Sequence, residues 1–324
     1  MRDRLTPAAF IATPAAAGTT GGNRVTALRW AVRLRELGFC VQLGAQWAGE
    51  PCELLVALHA RKSHASLARH AREQPAAARV LALTGTDLYE ELARDPAVRE
   101  SLELATRMIV LQPLALQGLP EAARARARVI RQSAVAPPPG PAQPGFTACA
   151  LAHLREVKDP LLAAEAVCLL PAGARLRVVH LGDALDEAWA RRARDAERAT
   201  DGRWAWLGGL RRADALRVLG GSRLLVLTSR SEGGANVVTE AIAAGVPVLS
   251  TRIDGSVGIL GAAYPGYFEV GDAAGLAGLL GRCEAEPAFL GELRAHVAAL
   301  RPLVEPAHER ACWRELVREL GLGG

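Results

Sequence analysis

Apolar residues along this chain fall into short continuous runs separated by stretches of helical spacing. Runs over Ala8–Ala12, Cys40–Ala45, Leu54–Leu58, Arg79–Leu83, Met108–Leu111 and Arg128–Arg131 have the length and content of strands. A second series lies over Phe146–Leu151, Leu176–Leu181, Arg203–Leu207 and Leu224–Leu227, then from Val248 and over Tyr267–Val270. Between them the period changes. Asn23–Leu37 places Val25, Leu28, Ala31, Val32 and Leu34 together and leaves Arg24, Arg29, Arg33 and Arg35 largely outside, and Gly38 ends the pattern. Further helices are predicted closing at Leu102–Leu104 and over Pro160–Leu169, Asp186–Arg198, Ala213–Leu219, Ala273–Arg282 and Pro306–Leu320. Trp204 and Trp206, on one strand, read as core. Strand and helix alternating at this spacing predict doubly wound parallel sheets, an α/β architecture. The Pro-rich stretch Ala134–Gly145 (AVAPPPGPAQPG) allows neither helix nor central strand and divides the chain. The expected domains are 1–134 joined by a returning helix at 305–324, a linker at 135–145, and 146–304.

The most informative stretch is TSRSEGGANVVTEAIAAGVPVLS, residues 228–250. A buried strand stops at Thr228, a polar turn with Gly233 and Gly234 follows, and a helix carries Val237, Val238, Ala241 and Ile242 on one face. Gly245 ends that helix and Pro247 prevents its return. Glycines without Cβ let an anion approach the backbone, and the N–H groups of Ala235, Asn236 and Val237 point along the helix dipole, so the turn suits a diphosphate. Glu232 and Glu240 bracket it. A carboxylate can accept from both vicinal hydroxyls of a ribose, and the other fits the hydroxyls of an attached sugar. The chemistry implied is a nucleoside diphosphate carrying a polyol.

This stretch resembles the Glu-x7-Glu signature of retaining GT-B glycosyltransferases. The resemblance implies two Rossmann-like domains facing a cleft, with Glu232 on the donor sugar, Gly233 to Asn236 on sugar and diphosphate, and Glu240 on ribose. The segment His153-Leu154-Arg155-Glu156-Val157-Lys158-Asp159-Pro160 resembles the same family's Gly-Arg-Leu-x-x-x-Lys-Gly segment. Lys158 matches the Lys that neutralises the diphosphate, a charge placed where a metal would otherwise act. The match departs at His153, where Arg is usual, and at Asp159, where Gly is usual; Arg155 is the candidate for the missing cation.

The first half offers acceptor-side candidates. The spacing of Gly18, Gly21 and Gly22 does not fit the dinucleotide pattern G-x-G-x-x-G. Gly21 and Gly22, with Asn23 and Arg24 behind them, instead resemble the family's N-terminal glycine loop, or are a plain flexible loop. His59 stands at the carboxyl end of a buried strand, where α/β sheets place ligand contacts, and the family often has His there. Arg61 and Lys62 follow it. Thr84-Gly85-Thr86-Asp87, hydroxyls, a glycine and an acid after the next strand, suits an acceptor pocket.

Composition refines this picture little. Half of the 324 residues are hydrophobic, enough for two cores, and the formal net charge is +5, almost all of it Arg, since Lys62 and Lys158 are the two lysines. An Ala- and Arg-rich chain of this kind gives no pointer to nucleic acid. The six cysteines lie far apart, without Cys-x-x-Cys or Cys/His pairing, so neither a zinc site nor a disulfide scaffold is expected. MRDRLTPAAFIATP is too short in its apolar run for a signal segment, and no run approaches the ~18 residues of a membrane span. The expectation is a cytoplasmic protein with no metal and no cofactor beyond a UDP-sugar co-substrate.

Seven blocks in both halves (GNRVTALRW, LVALHARKS, LALTGTDLY, LQPL at 111–114, HLREVKDP, TSRSEGGANVV and PGYF) resemble the selenosugar synthase family of selenoneine biosynthesis. That resemblance implies a UDP-sugar donor, UDP-N-acetylglucosamine or UDP-glucose, selenophosphate as acceptor, and functional coupling to a selenophosphate synthetase and a selenoneine synthase. A trianionic acceptor needs cations and hydroxyls, and Arg24, Arg61, Lys62, Thr84 and Thr86 supply them. Two other readings remain open: a GT-B transferase with a small-metabolite or lipid acceptor, and a non-catalytic sugar-nucleotide-binding module.

Overall fold

The computed structural model describes residues 6–15, 21–137, 140, 143 and 145–322. The opening MRDRL, Gly18, and Pro138, Pro139, Pro141, Ala142 and Pro144 of the Pro-rich stretch lie outside them. The chain divides into two compact units. One comprises residues 1–133 with 233–236 and 306–324; the other comprises 134–232 with 237–305.

The first unit carries β1 (Ala8–Ala12), α1 (Gly22–Glu36), β2 (Cys40–Gly44), β3 (Leu54–Leu58), α2 (His64–Glu73), β4 (Ala78–Leu83), α3 (Pro96–Leu104), β5 (Arg107–Val110), α4 (Glu121–Ala125) and β6 (Ala127–Val129). Its six strands run parallel in the order β2-β1-β3-β4-β5-β6. Strands buried on both faces need unbroken apolar sequence, and Leu54–Leu58 is buried at all five positions. Alternate residues then feed two cores. Ile11, Leu54, Val56, Val80 and Ile109 pack with Trp30 and Trp313, whereas Phe10, Leu55, Leu81, Met108 and Val110 pack with Leu67, Val98 and Leu102.

The second unit carries β7 (Thr147–Leu151), α5 (Leu162–Cys168), β8 (Arg177–Leu181), α6 (Glu187–Ala199), β9 (Trp204–Trp206), α7 (Arg212–Gly221), β10 (Leu224–Leu227), α8 (Asn236–Ala244), β11 (Val248–Thr251), α9 (Asp254–Leu260), β12 (Tyr267–Phe268), α10 (Ala273–Ala285) and α11 (Pro287–Leu300). Its parallel order is β12-β11-β10-β7-β8-β9. The last helix, α12 (Pro306–Glu319), belongs to the first unit. Its Trp313 meets Trp30 edge to face at 5.1 Å between ring centroids. Beside them the buried Glu309 accepts from Trp30 Nε1 at 3.0 Å and from Ser133 Oγ at 2.5 Å.

Each of the twelve expected strands is present within two residues of its expected ends. The helices α2, α4, α9 and α11 were not expected. α4 and α9 are five and seven residues long, too short for periodicity to show, and α11 begins at Pro287, where proline pre-sets the first helical residue. Each unit is thus a doubly wound six-stranded parallel sheet, the α/β class expected. Among the described residues no helix is long and apolar enough to cross a membrane.

Candidate functional site

In a doubly wound sheet the chain reverses its direction of strand addition once, and the loops leaving the two strands at that reversal diverge to open a crevice. In the second unit the reversal lies between β7 and β10, because β8 and β9 add on one side of β7 and β10 and β11 on the other. The two loops that diverge there contain the sequence-derived donor residues. After β7 the chain passes His153 and Arg155 and closes a 3-10 turn over Glu156–Lys158, with Asp159 in the left-handed region at φ 43°. After β10 it passes Thr228, Ser229 and Arg230 to Glu232.

Hydrogen bonds tie the two loops together. Thr228 Oγ1 donates to Lys158 O at 2.8 Å, and Arg230 N donates to Val157 O at 2.9 Å. The Arg230 guanidinium contacts Asp159 Oδ2 through Nε and Nη2, each at 3.2 Å. Thr251 Oγ1 holds Ser229 O at 2.6 Å from the neighbouring β11. A Cβ on Gly255 would stand 2.1 Å from Glu232 O, so only glycine lets α9 lie under this turn. The result is that Lys158 Nζ donates directly to Glu232 Oε1, which also accepts from Ser229 Oγ at 2.7 Å. Both side chains are mostly covered, at 17% and 12% exposure.

Glu240 is paired too. It lies in α8, 4% exposed, and the first residue of α7, Arg212, donates to its Oε1. Sequence reading missed Arg212, whose partner is 28 positions away. The visible signal was a pair of arginines, Arg211 and Arg212, one residue beyond Gly208 and Gly209 at a strand's carboxyl end. Asp159, read as a departure from the family pattern, is the anchor for Arg230. His153 accepts from Asp183 N at Nδ1, 3.1 Å away. Burial, with Arg155 and Lys158 nearby, lowers its pKa against the pull of Asp183, so it is neutral at pH 7. Arg155 is exposed. Val237 is in the first turn of α8.

The glycines of the turn stand in a different setting from the one expected. Gly233–Asn236 groups with the first unit. A Cβ on Gly233 would meet Thr84 O at 2.4 Å, and one on Gly234 would meet Leu111 Cβ at 2.6 Å. These close approaches require glycine at both positions. Ala235 is buried beside them. Asn236 is bonded to Arg29 of α1 through its Oδ1 and to Gly22 O at 3.4 Å through Nδ2.

The remaining residues of the first unit cluster at the ends of β3 and β4. Here the reversal lies between β1 and β3, and His59 ends β3 with φ 74°, a conformation that side-chain-bearing residues adopt only at a cost. His59 Nδ1 accepts a long bond from Lys62 N at 3.5 Å, which leaves the proton on Nε2, 3.1 Å from Thr86 Oγ1. Burial, then Lys62, pushes the His59 pKa down to about 4. Arg61 is half exposed and pairs with Glu91 at 3.1 Å. Lys62 is exposed.

Asp87, read as a pocket acid, is turned inward instead. It is wholly buried and accepts from Thr84 N at 3.0 Å, Gly85 N at 2.8 Å and Ala60 N at 2.9 Å. It is a staple for two loops and offers nothing to a ligand. Gly21 caps α1, accepting from Arg24 N and Val25 N at 2.9 and 3.2 Å, and Asn23 and Arg24 fill the helix's first turn.

A family model with the description glycosyl transferases group 1 matches residues 138–296. This region is similar to that family over 159 of the 324 residues. It holds every member of the Lys158–Glu232 and Arg212–Glu240 pairs. No curated protein matches the chain. Among solved structures, HepE of Anabaena in complex with UDP and glucose aligns with a TM-score of 0.78 at 15% identity, covering 97% of this chain and 100% of its own. Sucrose-phosphate synthase from Thermosynechococcus elongatus aligns with a TM-score of 0.75 at 16% identity over 99% and 100%. The pneumococcal O-GlcNAc transferase GtfA, in complex with UDP and GlcNAc, aligns at 0.65 and 15% over 82% and 56%. At such identities these likenesses speak for the fold, the GT-B class expected from the sequence, and leave activity and substrates open.

Proposed function

We propose that this chain is a glycosyltransferase that uses a UDP-sugar and bonds the sugar to selenium, passing it from UDP-N-acetylglucosamine or UDP-glucose to selenophosphate to form a selenosugar for selenoneine biosynthesis. One observation carries the donor half: at the reversal of the second sheet, a cation from the β7 loop is held against a carboxylate from the β10 loop. Opposite charges held together in a partly covered crevice form a pair that a ligand bearing both an anion and hydroxyls can replace. The diphosphate takes Lys158, and the freed Glu232 accepts from hydroxyls of the donor sugar. HepE with UDP and glucose, and GtfA with UDP and GlcNAc, support UDP as the nucleotide. The seven sequence blocks support selenium.

In the transfer a selenium–carbon bond forms at the anomeric carbon, the carbon–oxygen bond to the β-phosphate breaks, and its electron pair leaves with UDP; water then cleaves the phosphorus–selenium bond, releasing phosphate and leaving the selenosugar as its selenol. Lys158, Arg155 and the amides opening α8 offset that charge. Selenophosphate is already ionised near neutral pH and needs little base. His59, neutral at pH 7, and the Arg61, Lys62, Thr84 and Thr86 group are the acceptor-side candidates on the first unit. A nucleotide sugar and selenophosphate are cytoplasmic metabolites, which sets the compartment and couples the chain to a selenophosphate synthetase before it and a selenoneine synthase after it.

The test is a mass spectrum of the product from UDP-N-acetylglucosamine and a selenophosphate source, with alcohols as rival acceptors. A selenosugar with stoichiometric UDP is expected. Transfer to alcohols alone would overturn the selenium half, and UDP-sugar binding without turnover on any acceptor would leave a binding module.

A further inference from the structure

The reaction as drawn gives no work to Arg212, yet its placement is specific. It follows Gly208, at φ 71°, and Gly209, where a Cβ would stand 1.8 Å from Asp183 Oδ1. That close approach brings the head of α7 to the strand ends. Its neighbours are engaged elsewhere on the surface: Asp214 accepts from Arg211 Nε at 2.9 Å and from Arg217 Nη1 at 3.4 Å. Arg212 reaches inward to Oε1 of Glu240, and the burial is lopsided, 43% exposure for the guanidinium side and 5% for the carboxylate. A carboxylate so covered on a largely apolar helix is costly to leave unpaired and free to swing when it is.

We propose that Arg212 is the positioning residue of the ribose subsite, a reading that rests on the function proposed above. By holding Oε1 it orients the carboxylate and presents Oε2, with its two lone pairs, to the vicinal hydroxyls. A fixed acceptor discriminates a ribose from a sugar that lacks one of those hydroxyls, because the unmet partner is then stranded in a covered site. Arg212 therefore sets the preference for ribonucleotide over 2′-deoxyribonucleotide donors without touching the reacting carbon.

The experiment measures UDP and 2′-deoxy-UDP binding by calorimetry, and donor kinetics, for the intact chain, Arg212→Ala, Arg212→Lys, Glu240→Ala and the double Ala variant. Arg212→Ala is expected to weaken UDP about tenfold and to erase most of the preference over 2′-deoxy-UDP, the size of one charge-assisted hydrogen bond. Donor KM rises while kcat holds, Arg212→Lys restores part of the preference, and the double variant binds no worse than Glu240→Ala. A preserved preference in Arg212→Ala, or tighter UDP binding, would overturn the inference while leaving the donor reading intact if Glu240→Ala still weakens UDP. If Glu240→Ala leaves UDP affinity unchanged, the donor reading itself falls.

Discussion

The strand ends of the two units make similar use of polar residues to opposite effect. In the first unit Asp87 is fully buried and spends its oxygens on three backbone N–H groups, and His59 is pinned between Lys62 N and Thr86. In the second unit Lys158 and Glu232, from two loops, and Arg212 and Glu240, from two helices, pair side chain to side chain, with part of each pair open to solvent. A carboxylate satisfied by backbone is committed to the fold, since no ligand can replace the chain itself. One satisfied by a mobile cation can exchange that partner for a substrate. The same residue types at equivalent places in two like sheets thus divide into architecture and chemistry according to what their oxygens face.

The largest expected effect tests the architectural side. Burial holds His59 and His70 in the first unit and His180 in the second at pKa values of about 4, below the ordinary 6.5. The unfolded chain therefore binds more protons between pH 6.5 and 4, and stability is lost as pH falls through that window. By pH 5 each histidine costs at most about 2 kcal/mol. Asp87 acts with the opposite sign, because burial raises its pKa and the folded state takes its proton first. The net result is a urea midpoint that drops from pH 7 to pH 5; a flat or rising midpoint would show these imidazoles to be solvated.

Asp87→Ala comes next. It strands the N–H groups of Ala60, Thr84 and Gly85 in the interior and should cost about 4 kcal/mol of folding stability, read from denaturant unfolding. Lys158→Ala should do the reverse. Folding should shift less than in Asp87→Ala, since Ser229 Oγ still donates to Glu232 and water reaches the pair, while kcat falls about a hundredfold, about 2.7 kcal/mol of leaving-group stabilisation. If Asp87→Ala folds normally yet loses activity, or Lys158→Ala unfolds, the division drawn between the two sheets is wrong.

How far the sequence went follows the same division. Periodicity reports burial along the chain, so the strands could be read from runs such as Leu54–Leu58 and Leu224–Leu227, and Gly245-Val246-Pro247 marked where α8 ends. Lys158, Glu232 and Glu240 were legible because their spacing matches a family pattern. What spacing cannot report is partnership across loops. Arg212 finds Glu240 and Arg230 finds Asp159 only once β10, β7, β8 and β9 are assembled in one sheet. The direction of Asp87 was equally hidden, because a strand-end acid in sequence looks the same whether it faces solvent or its own backbone. The glycines at 233 and 234 show a further limit: a missing Cβ signals close approach without saying what approaches.

The smallest expected effect is none at all, under excess chelator. A departing diphosphate needs positive charge, and many enzymes supply it with a divalent ion. Here Lys158 already stands at the β7–β10 reversal, Arg155 is two residues from His153, and α8 starts four residues after Glu232 with its positive end. If these groups carry the leaving charge, the rate of UDP release from a UDP-sugar should stay within about 20% in excess chelator, as expected when electrostatic stabilisation comes from fixed protein groups. Loss of turnover on chelation, restored by adding back a divalent ion, would transfer that role to a metal and leave Lys158 as the structural partner of Glu232.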